Sequence, residues 1–398
     1  MAGSRTDRSH SSYRRDTRLV HAGRTPRDQY GFVNPPVYHA STVLYPDVAA
    51  LEARDAPYTY GRRGTPTTES LADALTELEN GAGTVLLPSG LAALSLALQT
   101  ALKAGGHVLV TDSCYQPTRV FCDNWATRFG VEVEYYDPCI DDIRPLFRSN
   151  TQALFLESPG SQTFEMQDVP ALAAAAREAG IPTIIDNTWA TGLYFRPLNH
   201  GVDLSVQAGT KYVGGHSDIM LGAVTANAPL WPELENLWGI SGLCAGPEVV
   251  YLGQRGLRTM SVRLERHMRS AIDVAHWLQN RPEVARVLHP ALETHPGYTL
   301  WKRDFSGASG LFSMIMKPGP KAAVAAFLDH LELFGLGFSW GGFESLAVPF
   351  DPSGYRTATR WEAEGPAIRI HIGLEDPADL IADLEAGLER WKAAGGGA

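Results

Sequence analysis

Short apolar segments alternate with segments of helical periodicity between residues 84 and 226. We predict strands in the apolar segments, at residues 84–88, 107–111, 131–136, 153–156, 183–186, 204–208 and 221–226. Strands separated by helices pair in parallel, because a parallel connection has to cross the face of the sheet. The pattern therefore predicts an α/β fold, with a mostly parallel seven-stranded sheet that has helices on both faces.

Helices are predicted from apolar residues at helical spacing. The predicted helices are residues 68–80, 90–102, 171–179, 263–279 and a terminal helix that begins at Asp376–Pro377. Gly81 and Gly180 are expected just past the ends of the first and third helices. The terminal helix places Leu380, Leu384, Leu388 and Trp391 on one side, so we expect that side to be buried.

The sequence pattern changes after about residue 260. Strands predicted at residues 284–289, 310–316 and 368–373 indicate a second, smaller α/β domain. We divide the chain into residues 1–64 (tail and inter-subunit arm), 65–260 (the larger sheet) and 261–398 (the C-terminal domain). Residues 1–15 are expected to be a disordered tail without a secretory signal, and residues 16–57, helical only at 47–53, to wrap a neighbouring subunit.

Composition excludes several classes of function. A net charge of -10 and a pI near 5.6 predict no electrostatic surface for nucleic acid. No apolar run reaches the roughly 18 residues of a membrane span. The four cysteines, Cys114, Cys122, Cys139 and Cys244, form no Cys-x-x-Cys pair, so we expect reduced thiols in a cytoplasmic protein rather than a zinc site or disulfides. A small-molecule enzyme is the remaining expectation.

The segment around Lys211 is the strongest indication of chemistry. The predicted strand 204–208 leads to Lys211, and the strand 183–186 ends in Asp186. Burial lowers the pKa of a lysine and makes its amine nucleophilic, although a single lysine at a strand end is usually solvated. The aspartate decides between these interpretations. Pyridoxal phosphate needs both a lysine for its aldehyde and a carboxylate that keeps its pyridine nitrogen protonated.

Three segments are candidates for binding anions. Tyr60–Gly64 holds Arg62 and Arg63 between glycines, which favours a fixed fork for a phosphate or carboxylate over a solvated loop. Ser89–Leu91 joins a predicted strand to a helix, where free amides attract phosphate, although an ordinary turn has the same sequence. Arg369, flanked by isoleucines, is either the polar face of a half-buried strand or a clamp for a substrate carboxylate.

The carboxyl ends of parallel strands are where ligands gather. Tyr115, Glu157, Asp186 and Lys211 all follow predicted strands at this edge of the sheet. We therefore expect these four side chains to lie close together.

The chain resembles the fold-type-I, pyridoxal-phosphate enzymes of Cys/Met metabolism, from Leu19 to the terminal helix. Its most specific stretches are Tyr60–Gly64, Glu157–Ser161, Ile185–Trp189, Gln207–Tyr212, Ser339–Gly342 and Ile368–Asp376. The resemblance implies that residues 65–260 bind pyridoxal 5'-phosphate. It also implies a homo-oligomer, expected to be a tetramer of two dimers, in which each site needs two chains.

The resemblance also implies a role for each candidate residue. Lys211 would hold the cofactor's aldehyde and move protons, Asp186 would pair with its pyridine nitrogen, and Tyr115 would stack on its ring. The groups expected on the phosphate are Gly90, Leu91 and Thr210, with Tyr60 and Arg62 from the adjacent subunit. The groups expected on the substrate are Arg369, Ser339, Trp340 and Arg63.

The activity that the resemblance implies is β-elimination of L-cystathionine to homocysteine, pyruvate and ammonia in methionine biosynthesis. Lys211 would remove the Cα proton, and Lys211 or Tyr115 would protonate the leaving sulfur. Ser161 and Trp340 are similar to the β-acting members, whereas γ-acting members usually carry an asparagine and a leucine there. A γ-lyase or γ-synthase, a lyase of broad range for cystine and other thioethers, and a regulatory binding protein on the same scaffold stay open.

Overall fold

The computed structural model describes residues 13–54 and 56–397, so residues 1–12 of the predicted tail, Asp55 and Ala398 lie outside the described part. The larger sheet has the seven strands that were predicted. They are β1 (Gly83–Leu87), β2 (His107–Thr111), β3 (Glu132–Tyr136), β4 (Thr151–Glu157), β5 (Thr183–Asp186), β6 (Leu204–Gln207) and β7 (Gly222–Ala226). Their order is β1-β7-β6-β5-β4-β2-β3.

Strand direction brings the polar ends of the strands to one edge. The strands β2 to β6 pair in parallel, whereas β7 is antiparallel to both β1 and β6. Glu157, the last residue of β4, is the direct partner of Asp186, the last residue of β5. The predicted mostly parallel sheet is therefore confirmed, and its carboxyl edge carries two adjacent carboxyl groups.

Helices cover both faces of this sheet. The helices that precede or accompany it are α1 (Arg15–His21), α2 (Val48–Ala53), α3 (Pro66–Glu79), α4 (Gly90–Ala101), α5 (Gln116–Phe121), α6 (Val169–Glu178), α7 (Thr191–Tyr194), α8 (Trp231–Ser241) and α9 (Pro247–Leu257). Successive residues of a strand point to opposite faces. Accordingly, Leu154 of β4 belongs to the core that contains Leu71 of α3, and Phe155 belongs to the core that contains Leu96 of α4.

The second sheet is antiparallel for most of its pairs and lies in the C-terminal part of the chain. Its strands are β8 (Val284–Leu288), β9 (Leu311–Met316), β10 (Phe334–Gly335), β11 (Ser345–Phe350) and β12 (Ala367–His371), in the order β10-β11-β12-β9-β8. The helices here are α10 (Met260–Gln279), α11 (Tyr298–Asp304), α12 (Lys321–Leu328) and α13 (Pro377–Ala393). The four apolar side chains predicted on one side of α13 are all buried.

Sequence patterns missed β11 because of its proline. Pro349 pairs with Ile368 of β12 on one side, while the short β10 reaches only Ser345 and Leu346 on the other. Pro349 therefore lies beyond the residues that β10 covers, where one side of β11 is open and a proline is tolerated.

The arm contains more helix than predicted. We expected a helix only at residues 47–53, but α1 begins at Arg15 and packs against α3 through buried Leu19 and an ion pair between Arg18 and Glu77 at 3.0 Å. The helix α3 ends at Asn80 in the left-handed conformation (φ 59°), one residue before the predicted Gly81. The domain divisions at residues 64 and 260 stay predictions.

The described residues contain no helix that is long and apolar enough to cross a membrane. Among them the four cysteines are free thiols, with Cys114 and Cys122 buried and Cys139 and Cys244 exposed.

A buried carboxylate joins the two sheets. Asp112, just after β2, accepts hydrogen bonds from the backbone N–H groups of Thr357 (3.1 Å) and Thr359 (2.7 Å), between β11 and β12. It also pairs with the buried guanidinium of Arg119. Burial opposes ionisation, but hydrogen bonds from Thr359 and Thr357 and the charge of Arg119 hold the pKa of Asp112 below its usual value. Asp112 precedes Tyr115 by three residues, so this contact fixes the segment between β11 and β12 close to Tyr115.

We expect Asp112→Asn to lower the free energy of unfolding by about 3–5 kcal/mol at pH 7, because Arg119 is left buried without a counter-charge. The measurement is urea unfolding. Since the folded-state pKa of Asp112 is depressed, its contribution is present above about pH 4 and is lost as the pH falls through the folded-state pKa. The difference between variant and parent should therefore shrink in acid.

The control is Asp142→Asn, because Asp142 pairs with Arg144 on the exposed surface at 3.2 Å. This variant should leave the free energy of unfolding nearly unchanged. Equal effects of the two substitutions would contradict a clamp at Asp112.

Candidate active site

Lys211 lies in the turn after β6 and its amine is largely buried. Nζ donates a hydrogen bond to the Ser339 hydroxyl at 2.8 Å and lies 5.5 Å from the centre of the Trp340 ring. Burial and the charge of Arg369 lower the pKa of Lys211 to about 8, against the opposing charge of Asp186. A larger fraction of this amine is therefore neutral and nucleophilic at pH 7 than of an exposed lysine.

Asp186 presents a carboxylate beside this amine. Its Oδ1 accepts from the backbone N–H and the hydroxyl of Thr188, at 3.0 and 2.5 Å. Its Oδ2 accepts no hydrogen bond from residues 13–54 or 56–397, so that oxygen is available to a ligand. Burial raises the pKa of Asp186, while the Thr188 hydrogen bonds and Lys211 oppose the increase.

The loop of residues 339–342, between β10 and β11, packs directly on Lys211. Ser339 has a φ of 78°, a conformation that a serine adopts only when its surroundings hold it. Gly341 has a φ of 83°, and a Cβ there would lie 3.1 Å from the backbone of Lys211. The loop is therefore held tightly enough to aim the Ser339 hydroxyl at the lysine.

Arg369 of β12 is 9% exposed, so it is not on a solvated strand face. Nη2 donates to the Ser339 carbonyl at 3.1 Å, and among the described residues no carboxylate pairs with this guanidinium. Burial lowers the pKa of Arg369 to about 10, with Tyr115 opposing. A buried cation without a counter-charge is unfavourable, which indicates that the missing partner is an anionic ligand.

The first turn of α4 offers backbone amides to an anion. Ser89 caps the helix by accepting from the N–H of Ala92 at 3.1 Å, which leaves the amides of Gly90 and Leu91 without a partner inside the helix. A Cβ on Gly90 would lie 2.5 Å from the Cβ of Ala208, so this turn packs against the segment that leads to Lys211.

Thr210 lies next to Lys211 but its hydroxyl is engaged. It donates to the carbonyl of Leu221 at 3.2 Å and accepts from the N–H of Leu221 at 3.0 Å. A phosphate contact from this hydroxyl would have to replace the first of these bonds, so the role predicted for Thr210 stays a prediction.

Tyr115 lies at the same edge of the sheet. Its backbone N–H donates to the buried carboxyl group of Glu157 at 2.7 Å, and its side chain is 43% exposed. Burial, Asp186 and Glu157 raise the pKa of Tyr115, with Arg369 opposing. Burial and Asp186 also raise the pKa of Glu157 well above its usual value. The four residues expected together are thus near one another at the carboxyl edge.

Tyr60, Arg62 and Arg63 have their contacts elsewhere in the chain. Arg62 donates to the carbonyl of Gly239 at 2.8 Å, and Arg63 lies 5.9 Å from the centre of the Trp238 ring. With Tyr60 they line a cavity of about 690 Å³ formed with α3 and α8. A single chain therefore gives these residues no described contact with Lys211.

Sequence reasoning missed several residues around Lys211. Thr188 holds Asp186 and also accepts from the N–H of Ala208 at 2.9 Å, and Tyr212 packs its ring 5.4 Å from that of Trp340. His371 accepts from the N–H of Gly341 at 3.0 Å. Alternation of side chains along a strand would have placed His371 on the same face as Arg369. Nothing in the sequence indicated that His371 binds the Gly341 amide.

The arrangement fits pyridoxal phosphate. Lys211 can take its aldehyde, the available oxygen of Asp186 can pair with its ring nitrogen, and the first turn of α4 can receive its phosphate. Arg369 is left for a carboxylate of the substrate.

The chain is similar over nearly its whole length to proteins named as lyases and to one named as a racemase. It is 55% identical over 377 residues to a putative cystathionine β-lyase of Rhizobium johnstonii, covering 94% of this chain and 95% of the relative. It is 44% identical to cystathionine β-lyase MetC of Escherichia coli, covering 94% and 98%. A relative with another name, the L-alanine/L-glutamate racemase of Wolbachia pipientis wMel, is 42% identical, covering 94% and 96%.

Solved structures and a family model agree with the fold. The crystal structure of cystathionine γ-synthase from Xanthomonas oryzae pv. oryzae in complex with cystathionine matches with a TM-score of 0.87 and 32% identity, covering 95% of this chain and 98% of that one. The model of the Cys/Met metabolism PLP-dependent enzymes matches residues 16–389. The chain belongs to the Cys/Met metabolism enzymes that depend on pyridoxal phosphate.

Proposed function

We propose that this enzyme is a carbon–sulfur lyase that cleaves L-cystathionine by β-elimination, with uptake of water, to homocysteine, pyruvate and ammonia in methionine biosynthesis. The observation that carries the proposal is the buried Arg369, which pairs with no carboxylate of residues 13–54 or 56–397, together with the Trp340 ring 5.5 Å from the Lys211 amine. Two of the relatives at 44–55% identity bear the name of this activity. We also propose a cytoplasmic location, which the free cysteines support.

The residues around Lys211 account for binding and proton transfer. Arg369 would hold the α-carboxylate and so orient the Cα–H bond toward the amine. Lys211, with its pKa near 8, would take that proton. Pyridoxal phosphate, when bound, supplies the electron sink for the charge left on Cα. Ser339 would keep the amine in place between these events.

The leaving sulfur needs a proton, and two groups can give it. Tyr115 keeps its phenol proton at neutral pH, since the ordinary pKa of a tyrosine is about 10 and burial, Asp186 and Glu157 raise it further. Lys211 carries a proton after it has acted as a base. The proposal leaves the choice between them open, since both lie at the same edge of the sheet.

Trp340 is our reason for preferring β- over γ-elimination. The ring is half-buried, with Lys211 on one side and Tyr212 on another. A bulky wall at this position would restrict a substrate to the binding geometry of β-elimination. The γ-acting alternative would release 2-oxobutyrate from cystathionine instead of pyruvate, and a lyase of broad range would also act on cystine.

Racemisation is a second candidate because of the relative in Wolbachia. It needs the same removal of the Cα proton by Lys211, followed by return of a proton to the other face. A racemase would release no 2-oxo acid, so product analysis separates it from both lyases.

We expect the purified enzyme to form pyruvate from cystathionine, and Trp340→Leu to raise the share of 2-oxobutyrate because the wall is shorter. The measurement is steady-state kinetics with the 2-oxo acid identified and cofactor content checked by visible absorption. Trp125→Leu is the matched control, since Trp125 is 40% exposed and stacks on Phe121 at 4.9 Å. An unchanged product ratio in Trp340→Leu would remove the argument for a β-specific wall.

We expect Arg369→Lys to lower kcat/KM for cystathionine by roughly 30-fold to several thousand-fold, or about 2–5 kcal/mol, because a point charge cannot replace a planar fork in a desolvated site. Arg360→Lys is the control, since the Arg360 side chain is 88% exposed and pairs with the exposed Glu362. Near-normal kcat/KM in Arg369→Lys would exclude this residue from carboxylate binding.

We propose that the active unit is a homo-oligomer, at least a dimer and expected to be a tetramer, in which Tyr60 and Arg62 serve a neighbour's cofactor. Within one chain, Arg62 contacts Gly239 and has no described contact with Lys211, which supports this arrangement. So do the large apolar side chains that the arm leaves exposed, including Tyr30, Phe32 and Leu44. Arg63 would reach the substrate from the same loop.

Mixing inactive Lys211→Ala chains with inactive Arg62→Ala chains should restore part of the activity, because one site of the hybrid dimer has both groups. The measurement is activity after subunit exchange, with exchange verified by mass spectrometry. As a control, Lys211→Ala chains mixed with Asp186→Ala chains should stay inactive. Lys211 and Asp186 both serve the site of their own chain, so each site of the hybrid dimer lacks one of the two groups. No rescue in the first mixture despite exchange would place Arg62 outside the neighbour's site.

A further inference from the structure

His371 and Arg369 hold the loop of residues 339–342 from the same side. They are two residues apart on β12 and therefore point to the same face. Arg369 donates to the carbonyl of Ser339 at 3.1 Å, and His371 Nε2 accepts from the backbone N–H of Gly341 at 3.0 Å. Two consecutive side chains of one face thus bind two backbone groups on either side of Trp340.

The other side of this loop lies against the amine-bearing turn. Gly341 is so close to the backbone of Lys211 that even a methyl group would crowd it, at 3.1 Å. Ser339, whose φ is 78°, accepts a hydrogen bond through its hydroxyl from Lys211 Nζ at 2.8 Å. A shift of Gly341 would therefore move the Ser339 hydroxyl and the Trp340 ring together.

The hydrogen bond to Gly341 determines the protonation state of His371. Nε2 lies 3.0 Å from the N–H of Gly341 and 3.3 Å from the carbonyl of Gly342. The shorter contact is to the N–H, which can only donate, so it places the lone pair on Nε2 and the ring proton on Nδ1. Burial and the charge of His267 lower the pKa of His371 well below its usual value, the Gly342 carbonyl opposes them, and Arg369 and Lys211 add smaller lowering effects. The ring is therefore a neutral acceptor.

Packing alone does not explain a histidine at this position. His371 is 1% exposed, and its Nδ1 makes no hydrogen bond to the described residues. Leaving a buried donor unsatisfied is unfavourable, and a leucine of similar size would fill the space without that penalty. The neighbour His267 instead uses its Nδ1 on the carbonyl of Ile372, at 2.8 Å, and does not reach the loop.

We propose that His371 is a positioning residue for the reaction, which holds the Gly341 amide so that the Ser339 hydroxyl and the Trp340 ring stay on Lys211. The inference rests on the proposed function of Lys211. His371 acts through the loop, since its Nε2 accepts from the loop amide of Gly341 and, among the described residues, makes no hydrogen bond to Lys211.

The test compares His371→Leu, which removes the acceptor, with His371→Gln, whose side-chain oxygen can take the place of Nε2. Hydrogen exchange of the holoenzyme is followed by mass spectrometry in peptides that contain residues 339–342. Exchange there should be about tenfold faster in His371→Leu, because the Gly341 amide has lost its acceptor. In His371→Leu, kcat should fall about tenfold with a smaller change in KM. His371→Gln should recover most of the loop's protection from exchange and most of kcat.

His289→Leu is the matched control. His289 is equally buried and also accepts a backbone N–H, from Ala291 at 3.1 Å, but it follows β8 and packs on Phe312. This variant should lower Tm without changing exchange in the loop or kcat. If His371→Leu does not fold, His371→Asn replaces it, since its shorter side chain cannot reach Gly341.

Two results would overturn the proposal. One is unchanged exchange of the loop in His371→Leu or its replacement, and the other is a glutamine variant no better than leucine. Exchange is measured without substrate, so it tests the role of His371 even if product analysis shows that the enzyme acts on another amino acid.

Discussion

Desolvation of two neighbouring cations is the constraint on which the candidate site depends. Lys211 and Arg369 are both withdrawn from water, and the charge of Arg369 is one cause of the lowered pKa of Lys211. The same burial has different effects on the two groups. It makes the amine partly neutral and therefore reactive, whereas the guanidinium stays charged and needs an anion.

The site is assembled from both sheets, which explains why loop geometry matters so much. The larger sheet supplies Asp186, Tyr115 and the turn with Lys211, and the smaller sheet supplies Arg369 and the loop that bears Ser339 and Trp340. The strained φ of Ser339 persists because contacts on both sides hold the loop. Buried links such as Asp112 keep the two sheets in a fixed relation.

Much of the larger sheet followed from local patterns. Apolar segments that alternate with helical segments were sufficient for all seven strands, and α4 was predicted from the apolar segment that follows Ser89. Prediction failed where tertiary contacts override local preference. The strand β11 contains Pro349, which pairs with β12 beyond the end of the short β10. The helix α1 forms in a polar segment because Leu19 and Arg18 dock on α3.

The sequence by itself determined the chemical candidates, because a lysine and an aspartate at the ends of apolar strands come to one edge of any parallel sheet. It could not determine how Arg369 is used, since an alternating strand leaves open which face is buried. Only the tertiary structure decided that this arginine is buried with no carboxylate partner in the described part of the chain, that Ser339 contacts the lysine, and that His371 accepts from the loop amide of Gly341. Those contacts join residues far apart in the chain, and no local pattern encodes the distance between two folded sheets.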